Sequence, residues 1–294
     1  MIGVRLMGGL GNQMFQYALG KKMSLRLGKP LGLDLIFFEN IEERDTLREY
    51  ELDCFKLNQR FISSTNRPQE NRDELYKSKR GALLKLRDSI AGKPWHIYHE
   101  AHHQFDMNAL SQPDKTYFIG YWQTEKYFAD IREELLKDFQ FKTIATGKNA
   151  EHMRRIESTP SISIHVRRGD YISNPHANKF HGLAGKKYYE EALKLITSKV
   201  KKPELFVISD DPDWCKKNLK FPYPTTYITG NSKGFEDMRL MSLCQHNIIA
   251  NSTFSWWAAW LNQNPNKIVV APKNWFANND VDTSDVIPSS WLKI

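Results

Sequence analysis

The chain has 294 residues, of which 40% are hydrophobic and 12% aromatic, so its composition excludes a disordered or fibrous protein. Its 42 lysines and arginines exceed its 34 aspartates and glutamates, and the net charge of +8 suits an anionic partner as well as a plain solvated surface. There is no apolar stretch of about 18 residues and no secretory signal pattern, which predicts a protein that does not span a membrane.

A strand, a glycine loop and a helix open the chain. Residues 2–7 are predicted as the strand, the loop reads Gly8-Gly9-Leu10-Gly11-Asn12-Gln13, and apolar residues then recur at helical spacing up to Gly28. We expect Gly9 and Gly11 to permit close backbone approach to a ligand, with Asn12 and Gln13 supplying neutral hydrogen bonds. The alternative is a tight turn that binds nothing.

The rest of the first half also has an α/β pattern. Strands are predicted at 31–35, 95–98 and 117–121, and a helix at about 125–139. The periodicity is lost between Gln140 and Glu151, so a linker is predicted there, dividing the chain into domains 1–145 and 146–294. Residues 67–93 carry many basic side chains around a short helical repeat, which predicts a solvated helix face or, alternatively, contact with an anionic membrane.

The second half alternates regularly between strands and helices. Strands are predicted at 161–166, 205–209, 225–229, 247–250 and 267–271, and helices at 187–200, from 213, at 235–243 and at 254–262. Such alternation favours a parallel sheet covered by helices, in which ligands bind at the carboxyl ends of the strands.

An arginine pair follows the first strand of this half, in the loop His165-Val166-Arg167-Arg168-Gly169-Asp170. The planar guanidinium group can bind two phosphate oxygens at once and stays charged at physiological pH, so a diphosphate is the expected ligand. Alternatively, one of the arginines pairs with Asp170 and braces the loop. Since neighbouring residues on an extended segment point in opposite directions, we expect one arginine in each role.

Two further loops follow predicted strands. Asp210 follows the next strand and could accept hydrogen bonds from a guanine or a ribose, while Asp211 is expected to cap a helix. The segment Asn251-Ser252-Thr253-Phe254-Ser255 opens a helix, where free N–H groups and hydroxyls favour phosphate. A simple helix cap is the alternative there, and the tryptophans that follow, Trp256, Trp257 and Trp260, are expected in the core.

Metal and dinucleotide sites are weakly supported. The pairs Asp211/Asp213 and Asp280/Asp282 have Asp-x-Asp spacing, but they suit a helix start and a polar loop, and paired arginines could neutralise a diphosphate without metal. We therefore predict neither a metal nor a cofactor. A nicotinamide-dependent oxidoreductase would use the first glycine loop and Asp34, but Met14 occupies the third glycine position of that motif.

Three motifs together resemble the inverting α-1,2-fucosyltransferases of glycosyltransferase family 11: residues 8–17, residues 165–171 and the stretch 236–261. The resemblance runs over nearly the whole chain. It implies an α/β fold with two Rossmann-like domains facing a cleft (GT-B type), with the acceptor on the first domain and GDP-fucose on the second. It also implies a metal-independent transfer of fucose from GDP-β-L-fucose to the 2-hydroxyl of a galactose.

The resemblance also implies roles for individual residues. Arg167 would hold the β-phosphate with Arg168 in support, His165 and Asp210 would contact guanine, and Ser255 would contact phosphate. The remaining expectations concern the glycine loop, the proton acceptor and the acceptor cleft: Asn12 near the reacting centre; Asp170 as the base, with His181 as its rival; and His102, His103, Trp122, Gln123 and Glu125 in the cleft.

The expected acceptor is a galactose-terminated oligosaccharide or a lipid-linked glycan, as in O-antigen or other glycan biosynthesis. Three widely spaced cysteines, Cys54, Cys215 and Cys244, indicate a reducing cytoplasm, with peripheral contact at the inner face of the membrane as an alternative. Another GDP-sugar or another fucosyl linkage is the main competing function. An RNA-binding protein would explain the charge, but it would not need two domains with convergent loops at strand ends, so no nucleic-acid partner is expected.

Overall fold

The computed structural model describes residues 1–39, 48–68, 95–169, 182, 184–277 and 281–294. Three features predicted above lie outside this part of the chain: residues 69–93 of the basic segment, Asp170 and His181. Within the described ranges, strands and helices alternate along both halves of the chain.

The first half forms a parallel four-stranded sheet with the order β2-β1-β4-β3. Its strands are β1 Ile2–Arg5, β2 Leu31–Asp34, β3 His96–His99 and β4 Thr116–Ile119. Ile2 and Val4 of the interior strand β1 are fully buried, as expected for a strand covered on both faces. The crossover between β1 and β2 is the long helix α1, Leu10–Leu27.

The second half forms a parallel six-stranded sheet with the order β10-β9-β8-β5-β6-β7. Its strands are β5 Ser161–Val166, β6 Glu204–Ser209, β7 Thr225–Ile228, β8 His246–Ile248, β9 Val269–Ala271 and β10 Leu292–Lys293. All six residues of β5 are buried, which fits its interior position between β8 and β6. The strand β10 was not predicted, because two exposed residues give no periodic pattern.

Helices connect the strands of both sheets. After α1 they are α2 Ile36–Glu39, α3 Met107–Ser111, α4 Arg132–Asp138, α5 Gly147–Ser158, α6 Lys186–Thr197, α7 Pro212–Asn218, α8 Gly234–Leu243 and α9 Thr253–Leu261. Short 3-10 turns lie at Leu52–Cys54, Ser64–Asn66, Glu125–Tyr127 and Ala129–Ile131. No helix in the described ranges is both long enough and apolar enough to cross a bilayer.

The helix predicted over residues 125–139 is interrupted. The 3-10 turns Glu125–Tyr127 and Ala129–Ile131 precede α4, and between them Phe128 has φ −145° and ψ 8°. The ring of Phe128 stacks on Trp257 with a centroid distance of 5.4 Å. This contact with the second half of the chain outweighs the local helical preference.

The linker predicted between Gln140 and Glu151 is only partly correct, because α5 already begins at Gly147. Ile156 is the buried residue of this helix. Its first turn, residues 147–150, contains no large apolar side chain, which is why the sequence pattern indicates a linker there. The domain boundary between residues 145 and 146 stays a prediction.

Aromatic side chains join the two halves into one core. Phe15 of α1 lies 4.5 Å from Trp256 and 5.0 Å from Trp257, measured between ring centroids. Phe128 and Trp260 extend the cluster, with their rings 5.8 Å apart. Burial of each such side chain contributes about 1.5–3 kcal/mol, so this cluster fixes α1 against α9. The predicted core position of the three tryptophans is confirmed.

The two sheets and their helices confirm the predicted α/β class with two Rossmann-like halves. The loops that leave β1, β4, β5, β8 and β9 at their carboxyl ends line one cavity between the halves. This is the edge at which parallel sheets bind ligands, so the fold itself indicates where to look for a functional site.

Candidate active site

A cavity of about 440 Å³ lies between the two halves of the chain. The first half contributes Gly9, Leu10, Gly11, Asn12, Arg48, His103, Tyr121 and Gln123 to its lining. The second half contributes Arg167, Asn251, Ser252, Thr253, Phe254, Trp275 and Phe276. The size suits a small-molecule ligand, and two arginines in the lining favour an anionic one.

Two helices begin at this cavity. Helix α1 starts after Gly9 and helix α9 starts after Ser252, and neither of these cap residues uses a side chain to accept the first N–H groups of its helix. The N-terminus of a helix carries a partial positive charge of about half a unit, so two of them in one cavity add to the field of the arginines, although Glu51 offsets part of the charge at α1 by accepting the N–H of Leu10 at 2.8 Å. The arrangement suits a diphosphate.

The glycine at position 11 makes this convergence possible. A side chain there would place its first carbon 2.5 Å from the backbone carbon of Thr253 and 2.6 Å from the backbone nitrogen of Phe254. The sequence correctly predicted a close backbone approach at the glycine loop. The approaching group at Gly11, however, is the start of α9 rather than a ligand, which corrects that part of the prediction.

Gln13 has a structural role instead of the predicted contact with a ligand. Its side chain is fully buried, donating to the carbonyl oxygens of Gly8 and Glu49 at 2.9 and 2.8 Å and accepting from the backbone nitrogen of Glu51 at 2.9 Å. These bonds tie the glycine loop to residues 49–51. These three hydrogen bonds occupy both polar atoms of the amide, Nε2 as donor and Oε1 as acceptor. The prediction of a ligand contact was therefore wrong for this side chain.

Asn12 does line the cavity. Its Oδ1 atom accepts a hydrogen bond of 3.1 Å from Nε2 of Gln123, which also lines the cavity. The bond orients the amide of Asn12 so that Nδ2 is the end left to donate. A role of Asn12 near the reacting centre stays a prediction.

Arg167 reaches the cavity from the end of β5 and is held there by a carboxylate. Its Nη1 atom lies 3.1 Å from Oδ2 of Asp210, whose Oδ1 accepts from the backbone nitrogen of Arg168 at 2.8 Å. Both oxygens of Asp210 therefore bind the arginine loop. Its side chain holds Arg167 in position and is not part of the cavity lining, and the guanine contact of Asp210 stays a prediction.

Arg168 points away from the cavity. Its guanidinium carbon lies 3.7 Å from the ring centroid of Trp214, and its Nε atom lies 3.2 Å from Oδ2 of Asp211. Asp211 also accepts from the backbone nitrogen of Trp214, which confirms it as the cap of α7. The division into one cavity-facing arginine and one bracing arginine follows the alternation along the strand, and within the described residues the carboxylate that braces Arg168 is Asp211.

His165 is packed inside the second half. It is 4% exposed and its ring lies 5.7 Å from that of Phe254, which separates it from the cavity. Burial and the neighbouring Arg167 lower its pKa to about 3, so the imidazole is neutral at physiological pH. In this structure its ring packs against Phe254, and the guanine contact of His165 stays a prediction.

The loop before α9 divides in the same way. Ser252, Thr253 and Phe254 line the cavity, in agreement with their predicted place near the phosphates, although contact with a nucleotide stays a prediction. Ser255 is fully buried, and its hydroxyl lies 3.4 Å from the carbonyl oxygen of Ala250 and 3.3 Å from that of Ser252. The phosphate contact predicted for Ser255 does not agree with this structure, because the side chain is buried and its hydroxyl lies against backbone carbonyl oxygens at the start of the helix.

A strained turn after β4 supplies part of the cavity wall. Trp122 has φ 58°, a backbone conformation that is unfavourable for a bulky residue, and Glu100 accepts from the backbone nitrogens of Tyr121 and Trp122 at 2.6 and 2.8 Å. The glutamate thereby fixes the turn that presents Tyr121 and Gln123 to the cavity. Of the five residues expected in an acceptor cleft, His103 and Gln123 line the cavity. Trp122 is buried core.

No sequence motif singles out Arg48, Tyr121, Trp275 or Phe276, which also line the cavity. Tyr121 ends a predicted strand and the other three lie in irregular segments, and only the tertiary fold brings these segments together. Among the described residues, no three His, Cys, Asp or Glu side chains form a group that could hold a metal ion. Metal independence stays a prediction.

Comparison with known proteins agrees with this geometry. The sequence profile of the family described as Glycosyl transferase family 11 matches residues 81–294. The O-antigen biosynthesis glycosyltransferase WbnK of Escherichia coli is 35% identical over 98% of this chain and 99% of its own length. An alpha-1,2-colitosyltransferase of Escherichia coli is 33% identical over 100% of this chain and 99% of its own length. The galactoside 2-alpha-L-fucosyltransferase Sec1 of Mus musculus is 28% identical over 59% of this chain and 50% of its own length.

Proposed function

Because this chain belongs to glycosyltransferase family 11, we propose that it transfers L-fucose from GDP-β-L-fucose to the 2-hydroxyl of a terminal galactose, forming an α-1,2 linkage with inversion. The observation that carries the proposal is the cavity in which Arg167 and the N-termini of α1 and α9 converge. A departing GDP gains negative charge on its β-phosphate, and fixed positive groups stabilise that charge without reorganising.

In this proposal Arg167 contacts the β-phosphate, while Thr253 and Phe254 offer backbone N–H groups to the diphosphate from the start of α9 and Ser252, whose own N–H donates to Ala250, offers its hydroxyl. Asn12 donates its Nδ2–H group toward the donor sugar or the bridging oxygen. No metal is required, because the arginine and the two helix ends supply the positive field that a divalent cation would otherwise supply.

The donor sugar is the part of the proposal with a specific competitor. Fucose is favoured by the similarity to the galactoside 2-alpha-L-fucosyltransferase, whereas the alpha-1,2-colitosyltransferase favours colitose and matches over the whole chain. Both names agree on an α-1,2 linkage. Their agreement supports the linkage independently of the sugar that is transferred.

The acceptor is proposed to be a galactose-terminated glycan of an O-antigen or a related oligosaccharide, in line with the name of the WbnK relative. All three cysteines are unpaired in the structure, which supports a reducing compartment such as the cytoplasm. A lipid-linked acceptor would bring the protein to the inner face of a membrane.

A donor panel tests the proposal. Purified protein is incubated with a β-galactoside and, in separate reactions, GDP-fucose, GDP-colitose, GDP-mannose and UDP-galactose, and release of the nucleoside diphosphate is measured. We expect the highest kcat/KM with GDP-fucose and none with UDP-galactose. A preference for GDP-colitose would retain the transferase and replace the donor, while binding of NADH without binding of GDP would favour an oxidoreductase instead.

A further inference from the structure

One side chain in the described lining of the cavity exchanges a proton near neutral pH, and it is His103. The other ionisable groups there are arginines, which stay charged, and a tyrosine, whose hydroxyl ordinarily titrates near pH 10. Transfer to a sugar hydroxyl needs a group that accepts its proton as the new bond forms. His103 is therefore the first group to consider for that role.

The buried carboxylates near the cavity are already used for structure. Oε2 of Glu51 accepts from the backbone nitrogen of Leu10 at 2.8 Å, and the two oxygens of Glu100 accept from the backbone nitrogens of Tyr121 and Trp122. Neither glutamate is part of the cavity lining. Burial raises the pKa of both glutamates although their backbone N–H bonds oppose the shift, so it is their position outside the cavity lining that keeps them from a bound acceptor hydroxyl.

His103 is fixed in place by both halves of the chain. Its ring lies edge-on to that of Phe276 with centroids 5.4 Å apart. The next residue, Gln104, donates to Asp282 at 2.6 Å, and the backbone nitrogen of Phe105 donates to Asp285 at 2.9 Å. The segment is thus pinned where the two halves meet. Precise positioning of this kind is what proton transfer to a bound substrate requires.

The orientation of the ring decides which nitrogen can act. Nδ1 of His103 is buried and has no hydrogen-bond partner among the described residues. The ring nevertheless lines the cavity, so the edge that carries Nε2 is the one available to a ligand. When the proton of the neutral ring is on Nδ1, Nε2 has a free lone pair and accepts a proton.

We propose that His103 is the general base of the transfer and that Nε2 takes the proton of the acceptor hydroxyl; this rests on the proposed function. As the hydroxyl oxygen forms its bond to C1 of the donor sugar, the bond from C1 to the β-phosphate oxygen breaks and GDP leaves with the electron pair. The imidazolium that results returns its proton to solvent after the product departs. No other reactant is needed.

The electrostatics agree with a neutral imidazole in the resting protein. Burial and the neighbouring His102 both lower the pKa of His103, so the basic form predominates at neutral pH. Charged groups face it from several elements: Arg48 and Arg167 across the cavity, and Asp282, Asp285 and Lys126 beside the following two residues. Protonation of His103 below its pKa would remove the base, so kcat/KM should fall on the acidic side.

The adjacent histidine provides a matched control, because His102 is exposed and does not line the cavity. We expect His103→Gln to lower kcat for transfer by about 100-fold or more, a typical contribution of a general base, while the Kd for GDP stays within twofold. The acidic limb of the pH profile of kcat/KM should disappear, and added imidazole should restore part of the rate. His102→Gln should leave the rate on the plateau and the response to imidazole as in the wild type, and it should retain the acidic limb, moved to higher pH because His102 no longer lowers the pKa of His103.

Full kcat in a folded His103→Gln protein would overturn the proposal, and so would a loss of rate that appears together with weaker GDP binding and no imidazole rescue. If His103→Gln does not fold, the same measurements are made on His103→Asn. The pH profile of the His102→Gln protein is then the second test, because absence of an acidic limb from that profile would overturn the proposal. A wild-type protein that transfers no sugar from any GDP donor would contradict the proposed function itself, so the two failures are distinguishable.

Discussion

Asp210 holds Arg167 against the wall of the cavity, with Oδ2 and Nη1 3.1 Å apart, while its other oxygen accepts the backbone N–H of Arg168. One carboxylate at the end of β6 therefore holds both the side chain of Arg167 and the backbone of Arg168 in the loop that follows β5. Because β5 and β6 are neighbours in the parallel sheet, their carboxyl ends bring the two loops together. This pairing places Arg167 in the lining of the cavity.

This relationship predicts the effect of Asp210→Asn. The amide retains the shape but removes the charge that orients Arg167, and loss of a charge-assisted hydrogen bond costs about 1.5–3 kcal/mol, or about 10–150-fold in kcat/KM. Steady-state kinetics with GDP-fucose measure the change. Asp213→Asn, on the exposed side of α7, is the control and should match the wild type. Equal effects of the two substitutions would contradict the assigned role of Asp210.

Gly11→Ala tests the contact between the starts of α1 and α9. The added carbon would lie 2.5–2.7 Å from backbone atoms of Thr253 and Phe254, which have no flexible end to move. We expect a loss of about 1–3 kcal/mol in the free energy of unfolding, as for overpacked cores, together with weaker GDP binding. Gly234→Ala, whose nearest neighbour would be a side-chain atom at 3.7 Å, should change the free energy of unfolding little. Chemical denaturation compares them.

The sequence predicted the strands and the loop of Arg167 because their apolar residues alternate and their carboxyl ends are marked by arginine, aspartate or glycine. It misassigned Gln13, which shares the loop with Asn12 but bonds to residues 49–51, far along the chain. Local pattern carries no information about such a partner. The same limit explains Ser255, which is one helical position too deep to reach the cavity.

Local sequence pattern also did not reveal the positions of the two histidines His165 and His103. The family resemblance implies a guanine contact for His165, but no local pattern shows that its ring packs against Phe254. His103 was one of five residues expected in an acceptor cleft, with nothing to separate it from His102. Only the packing of both halves shows that one of these histidines lines the cavity while the other faces solvent.

The aromatic cluster predicts that both halves unfold together. Phe15 contacts Trp256 and Trp257 across the junction, so Phe15→Ala should lower the stability of the whole chain by about 3–5 kcal/mol and keep a single transition. Calorimetry with wild type and variant tests this, with the exposed Met107→Ala as control. Two separate transitions in the wild type would show that each half has an independent core.

Burial of His165 predicts acid sensitivity of the fold. Its pKa is lowered from 6.5 to about 3, so the unfolded chain takes up a proton at a pH where the folded chain does not. Its contribution to stability is present above pH 6.5 and is lost as the pH falls toward 3. The Tm of His165→Asn should therefore decline less steeply than that of the wild type between pH 6.5 and 4. His99→Asn, at an exposed position, should follow the wild-type slope.

Metal removal is the next test. If the arginine and the two helix ends stabilise the departing diphosphate, dialysis against excess EDTA should leave kcat within about twofold of the untreated protein, because no ion contributes to the barrier. The measurement is GDP release with and without added manganese or magnesium. Complete loss of activity that manganese restores would show that a cation takes part.

The central claim is tested most directly by the structure of the product. Protein is incubated with GDP-fucose and a terminal β-galactoside, and NMR assigns the configuration and position of the new glycosidic bond. The account predicts an α-linked fucose on the 2-hydroxyl of galactose with the wild type and none with a folded Arg167→Ala protein. A different linkage, or full turnover by Arg167→Ala, would contradict it.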